Sequence, residues 1–109
     1  MRPYEAMVIF SVDLEEEAIR GVIAKALDVV TTHGGEPGSV DYWGRRRFAY
    51  ELKHRWEGYY VVFQAKAQPT MVAELDRFFS LSDEVLRHRV VTIPPYQYGK
   101  TRPASPSES

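Results

Sequence analysis

The 109-residue sequence predicts a single α+β domain in the order βαββαβ: a four-stranded antiparallel sheet with two helices packed on one face. Two observations carry this reading. Four runs are rich in β-branched and aromatic residues, and amphipathic stretches of helical period follow the first and the third of them. Each helical stretch has one apolar face that needs covering. A sheet covered from one side, the ferredoxin-like arrangement, satisfies both. The opposite sheet face is then wet, polar or bound to something.

The first strand is Tyr4 to Val12, apolar and strand-favouring. Asp13 is expected to cap the first helix, with Glu16 three residues on completing a capping box. Ile19, Val22, Ile23, Ala26, Leu27 and Val30 recur on one helical face. Gly21 within it costs about 1 kcal/mol and is expected to mark close packing against the sheet. The helix runs out at Thr31-Thr32-His33-Gly34-Gly35, where glycine permits a left-handed cap. Val40 to Trp56 reads as a second strand region, with Gly44 as a bulge or bend, and His54 to Gly58 as the turn of a hairpin. Tyr59 to Ala65 is a third, central strand. Pro69 opens a second helix whose apolar face is Met71, Val72, Leu75, Phe78 and Phe79. Ser82-Asp83 breaks it, and Val85 to Ile93 is a fourth strand. The domain is thus expected to span residues 1–93, and the Pro/Ser-rich tail 94–109 to be disordered when free.

Composition narrows the function classes. With no cysteine, disulfides, thiolate metal sites and cysteine-ligated clusters are excluded. The N-terminus has no apolar signal region and no run is long enough to span a membrane, so a soluble, cytoplasmic protein is expected. Ser39 and Asp41 have no histidine nearby, and His33, His54 and His88 are scattered. No nucleophile elbow, phosphate-binding glycine loop or paired-histidine zinc spacing is present, so no catalytic residue, metal or cofactor is expected. His88 reads as a strand residue with a hydrogen bond, and Glu15-Glu16-Glu17 as a solvated helix start.

Charge is distributed unevenly behind a net of −1. Residues 1–36 carry a net of −4, whereas residues 44–58 carry +3, which places an acidic and a basic region on one small molecule. The basic region runs from Trp43 to Trp56 and interleaves Arg45, Arg46, Arg47, Lys53 and Arg55 with aromatic rings. Two readings stay open. Arginine on an edge strand guards against edge-to-edge pairing, and the same groups can reach phosphate while Tyr50 or Trp43 stacks on unpaired bases. Alternation forces a run of three arginines onto both faces, which an edge strand accommodates. Arg87 and Arg89, two apart on the fourth strand, share a face and extend the basic surface if that face is the open one. Gly58 to Phe63 partly resembles an RNA-recognition motif, but Glu57 and Tyr60 depart from it, and strand packing is the better account.

Met1-Arg2-Pro3-Tyr4-Glu5 before an apolar strand, Trp43, the segment Gly44-Arg45-Arg46-Arg47-Phe48-Ala49-Tyr50-Glu51-Leu52-Lys53, then Glu57-Gly58-Tyr59-Tyr60 and Arg87 together resemble the bacterial small-subunit ribosomal protein six family over residues 1–93. Phe48, Glu51 and Leu52 depart from its usual pattern. The resemblance implies a structural, non-enzymatic component of the small ribosomal subunit. It further implies binding to the central domain of small-subunit ribosomal RNA as a heterodimer with small-subunit ribosomal protein eighteen, with no membrane and no small-molecule substrate. Carried over position by position, the RNA-facing residues are Arg2, Tyr4, Arg45, Arg46, Arg47, Tyr50, Lys53 and Arg87. The tail from Pro94 corresponds to the segment that runs onto the partner protein. The runner-up is a ferredoxin-like regulatory or oligomerisation module that uses its open sheet face for a protein or small ligand. A phosphatase-like enzyme on the same fold lacks its phosphate loop.

Overall fold

A computed structural model describes residues 1–99. Its elements run β1 (Arg2–Phe10), α1 (Glu16–Thr32), β2 (Glu36–Leu52), β3 (Arg55–Ala67), α2 (Pro69–Ser80) and β4 (Val85–Thr92), the expected βαββαβ order. The sheet is antiparallel throughout, ordered β2-β3-β1-β4, so β2 and β4 are its edges.

Alternation along the strands builds two cores. Tyr4, Ala6, Val8 and Phe10 of β1 and Val61, Phe63 and Ala65 of β3 face Ile19, Ile23, Ala26 and Val30 of α1 and Met71, Leu75 and Phe79 of α2. These residues are the expected helix faces against the expected strands. The other face carries a smaller cluster of Ile9, Phe48 and Tyr60, with Met7, Trp43, Leu52 and Leu86 against it. The second face is therefore open only in part.

Local chemistry sets the ends. Pro69 occupies the first turn of α2, where its missing N–H costs nothing. At the end of α1, Gly34 takes φ +79°, the Gly35 N–H reaches the Val30 carbonyl at 2.8 Å, and the Gly34 N–H reaches that of Thr31 at 3.0 Å. This paired reach-back is the Schellman pattern, and it uses carbonyls that the last helical turn leaves unpaired.

Three expectations need correction. Helix α1 begins at Glu16 behind Glu15, with no side-chain cap, because the Asp13 carboxylate is taken by Arg55 at 2.7 Å. Gly21 is exposed with nothing within 4 Å of its would-be Cβ, so it marks no close packing. The hairpin turn is Lys53-His54, both at positive φ (50° and 63°), flanked by the pair Leu52 and Arg55; Trp56, Glu57 and Gly58 belong to β3. Positive φ at both central residues is the primed turn whose twist suits a hairpin, here without the glycine that usually announces it.

The first residues of the expected tail are among those described. Residues 94–99 stay on the sheet: Pro95–Gln97 form a 3-10 turn, and the Gly99 N–H donates to Gln64 Oε1 at 2.7 Å. The Tyr98 hydroxyl lies 2.7 Å from where a Cβ on Gly38 would stand, and the Lys66 ammonium sits 4.8 Å from the centre of the Tyr98 ring. Burial, helped by the nearby Glu36 carboxylate, raises the pKa of the Tyr98 phenol. The remainder of the expected disordered tail, residues 100–109, lies outside the described residues.

Candidate nucleic-acid interface

The edge strand β2 is longer than its partner β3, and the excess shapes the site. Gly44, at φ +84°, sits at a one-residue register shift after Tyr42, the bulge expected of it. Between the pairs Arg47–Glu57 and Leu52–Arg55, β2 has four residues where β3 has one. The extra length carries Phe48, Tyr50 and Leu52 over the open face toward β4. Phe48 is 8 % exposed and packs with Ile9 and Tyr60, so it anchors this arm. Gly58 makes the room: a Cβ there would stand 2.7 Å from the Phe48 ring and 2.5 Å from Ile9 Cγ2. At the far side the Arg87 guanidinium donates to the Tyr50 hydroxyl at 3.0 Å, joining opposite edges of the sheet.

The three consecutive arginines straddle the edge. Arg45 and Arg47 pair with Tyr59 and Glu57 on the side of the helices, while Arg46 pairs with Gly58 on the open side. Arg46 donates to the Arg45 carbonyl at 2.8 Å, its only side-chain bond among the described residues. No carboxylate lies within ion-pair distance of Arg45, Arg46, Arg47, Lys53 or Arg87 among those residues. By contrast Arg55 is committed to Asp13, which ties the base of the hairpin to the loop after β1. That hydrogen bond, with the Arg55 and Arg45 charges behind it, holds the Asp13 carboxyl below the usual carboxylate range.

On β4, Arg87 faces Ile9 and Arg89 faces Met7, which puts both on the open face and settles what the sequence left undecided. Together with Met7, Ile9, Phe48, Tyr50, Leu52 and Tyr60 they line a shallow groove of about 210 Å³, apolar in its floor and cationic at its β4 rim. His88 points to the helices, against Phe79, with Nε2 3.3 Å from an Asp76 carboxylate oxygen, the bonded strand residue expected. Trp43 is stacked parallel to Tyr60 with centroids 6.3 Å apart, so it belongs to the smaller core.

The sequence-predicted residues do not all converge. Arg45, Arg46, Arg47, Tyr50, Lys53 and Arg87 lie on the β2 arm or the rim it reaches. Arg2 is exposed but pairs with Ala67 at the opposite end of β1, seven residues from Ile9 and so about 23 Å along the strand. Tyr4 is 6 % exposed and belongs to the helix-side core. Trp56, read from sequence as a turn residue, is 52 % exposed on β3. The signal that could have found it is alternation with Gly58 and Tyr60. Among the described residues no three His, Asp or Glu side chains converge as a metal site would require, and no helix is long and apolar enough to cross a membrane.

The fold and the sequence are both matched in known proteins. The fold is that of the 30S ribosomal protein S6 crystal structure from Thermotoga maritima, at a TM-score of 0.79 and 27 % identity, over 84 % of this chain and 87 % of that one. The sequence model described as Ribosomal protein S6 matches residues 3–92. The chain belongs to the ribosomal protein S6 family. Small ribosomal subunit protein bS6 of Mycolicibacterium paratuberculosis is 48 % identical over 91 residues, 84 % of this chain and 95 % of that protein. Its counterpart in Paenarthrobacter aurescens is 44 % identical over 91 residues, 84 % and 90 % respectively. As an S6 family member the chain is a structural protein of the small subunit in the cytoplasmic ribosome, and not an enzyme.

Proposed function

We propose that this chain binds small-subunit ribosomal RNA through the β2 arm, and does so as a heterodimer with small-subunit ribosomal protein eighteen. The observation that carries the first half is the run Arg45-Arg46-Arg47 on an edge strand, with no carboxylate among the described residues paired to any of the three guanidinium groups. Lys53 at the turn and Arg87 at the groove rim extend the same cationic surface. Shape and phosphate contacts then dominate, because a sheet edge offers charge and reach but no helix or ribbon to read a groove. Tyr50, 58 % exposed and held by Arg87, adds an aromatic face beside those charges. Arg2 is a separate contact at the other end of the sheet, and Tyr4 contributes to folding rather than to the interface.

The heterodimer rests on the family resemblance and on two further features. A net charge of −1 is weak for a lone RNA binder, so a second protein is expected to share the contact. The half-open groove between β2 and β4 leaves apolar surface on the face away from the helices. The test is sedimentation of the native protein in a lysate. It should travel with small ribosomal subunits and be stripped by high salt; a protein that sediments as a free homo-oligomer would overturn the proposal.

A further inference from the structure

On β3 the side chains of Trp56, Gly58 and Tyr60 alternate onto one side of the strand. The row is covered until its end. Tyr60 is 2 % exposed beneath Trp43, and the space above Gly58 is filled by the Phe48 ring. Trp56 closes the row half in solvent, and its ring makes no aromatic or cation–π contact among the described residues. On the same face Arg46 pairs with Gly58, two residues along from Trp56, and Lys53 lies in the turn three residues before it; no carboxylate is within ion-pair distance of either cation among the described residues. Arg55, next to Trp56, is already held by Asp13 and braces the strand beneath it.

We infer that Trp56 is a stacking platform for an unpaired base of the bound RNA, with Arg46 and Lys53 receiving the flanking phosphates. This rests on the RNA-binding reading above. An exposed ring among cations is the arrangement by which single strands are held, since any base can stack on indole while the backbone finds charge beside it. A base inside a duplex cannot reach such a ring, so the nucleotide must lie in a loop, a bulge or an end. Charge decides between RNA and a protein cover: an apolar protein patch on Trp56 would have to desolvate Arg46 and Lys53 without a counter-charge.

The sequence holds two tryptophans, so in a Trp43→Phe background the fluorescence of the full chain reports Trp56 alone. Titrating that protein with oligouridylate and with transcribed small-subunit ribosomal RNA should quench it. Trp56→Ala should weaken binding by about 5- to 100-fold with the dependence on salt unchanged, because stacking releases no counterion. Trp56→Phe should recover most of the loss. Unmoved fluorescence and unmoved affinity, alongside intact RNA binding, would overturn the inference and leave the reading beneath it standing. Quenching by small-subunit ribosomal protein eighteen in the absence of RNA would also overturn it, by making Trp56 a protein contact. If the unsubstituted chain, with or without that protein, binds neither RNA, both fall together.

Discussion

Replacing Gly58 by alanine tests whether the β2 arm is seated on β3 as described. A Cβ at this position would stand 2.5 Å from Ile9 Cγ2, 2.7 Å from Phe48 Cζ and 3.3 Å from the Phe10 carbonyl oxygen. Gly58 is not among the residues at positive φ, so the substitution carries no penalty of backbone conformation. What remains is steric. The Ile9 branch is stiff, the Phe48 ring must move by nearly an ångström to reach ordinary contact, and the backbone oxygen blocks the third direction. Overpacking of this kind costs about 1–3 kcal/mol, against a gain of about 0.4–1 kcal/mol from a less flexible unfolded chain. A net loss of about 1–2 kcal/mol in urea unfolding is expected. A second consequence separates this account from a general defect. Phe48→Leu shortens the obstructing ring, so the double variant should be less destabilised than the sum of the single ones, with a coupling above about 0.5 kcal/mol. A neutral or stabilising Gly58→Ala, or strict additivity with Phe48→Leu, would refute the seating of Phe48 over Gly58.

Two further outcomes follow from the same geometry. Tyr4→Phe should leave RNA affinity within experimental error, whereas Tyr4→Ala should lower the unfolding midpoint, because the ring is 6 % exposed in the helix-side core; a specific loss of RNA binding in Tyr4→Phe would return that residue to the interface. The Asp13–Arg55 pair should make stability acid-sensitive: the folded pKa of Asp13 lies below its usual 3.8, so the pair contributes above that value and is lost as pH falls through the lowered pKa. An NMR titration of Asp13 measures this directly, and Asp13→Asn should remove that part of the pH dependence; an Asp13 that titrates at or above its usual value would contradict the pair.

The sheet, both helices and their faces were legible because each rests on local signals that tertiary structure reinforced. Ile19 to Val30 repeats at helical spacing, Pro69 is prepared for a first turn, and Gly34 supplies the left-handed cap. What stayed hidden depended on distant partners. Asp13 is a good cap residue by type, but Arg55, 42 residues away in sequence, claims its carboxylate. Lys53-His54 makes a primed turn without glycine, so the local signals point to a later tip that takes in Trp56. Phe48 and Leu52 are legible as apolar anchors, but that they form a second core on the open face depends on the register, in which β2 has three residues to spare. For the interface, the arginine run was visible as composition, while the burial of Tyr4 and the remoteness of Arg2 were not. Residues 94–99 read as linker because Pro and Ser dominate the tail, yet Tyr98 and Gly99 find Gly38 and Gln64 on the sheet.

The claim at the centre of this account is that the β2 arm meets phosphate. Its most direct test is the salt dependence of binding to small-subunit ribosomal RNA, measured for the unsubstituted chain and for the Arg45→Ala, Arg46→Ala, Arg47→Ala triple variant, each with small-subunit ribosomal protein eighteen present. If Arg45, Arg46, Arg47, Lys53 and Arg87 each neutralise a phosphate, they contribute roughly −3.5 to −4.5 to the log–log slope, and the triple variant should be shallower by roughly 2–2.7. Its thermal unfolding should stay nearly unchanged, because none of the three guanidinium groups is buried in either core. A slope that does not move, or a triple variant that loses stability and not affinity, would make the arginines guards of the sheet edge and contradict the account.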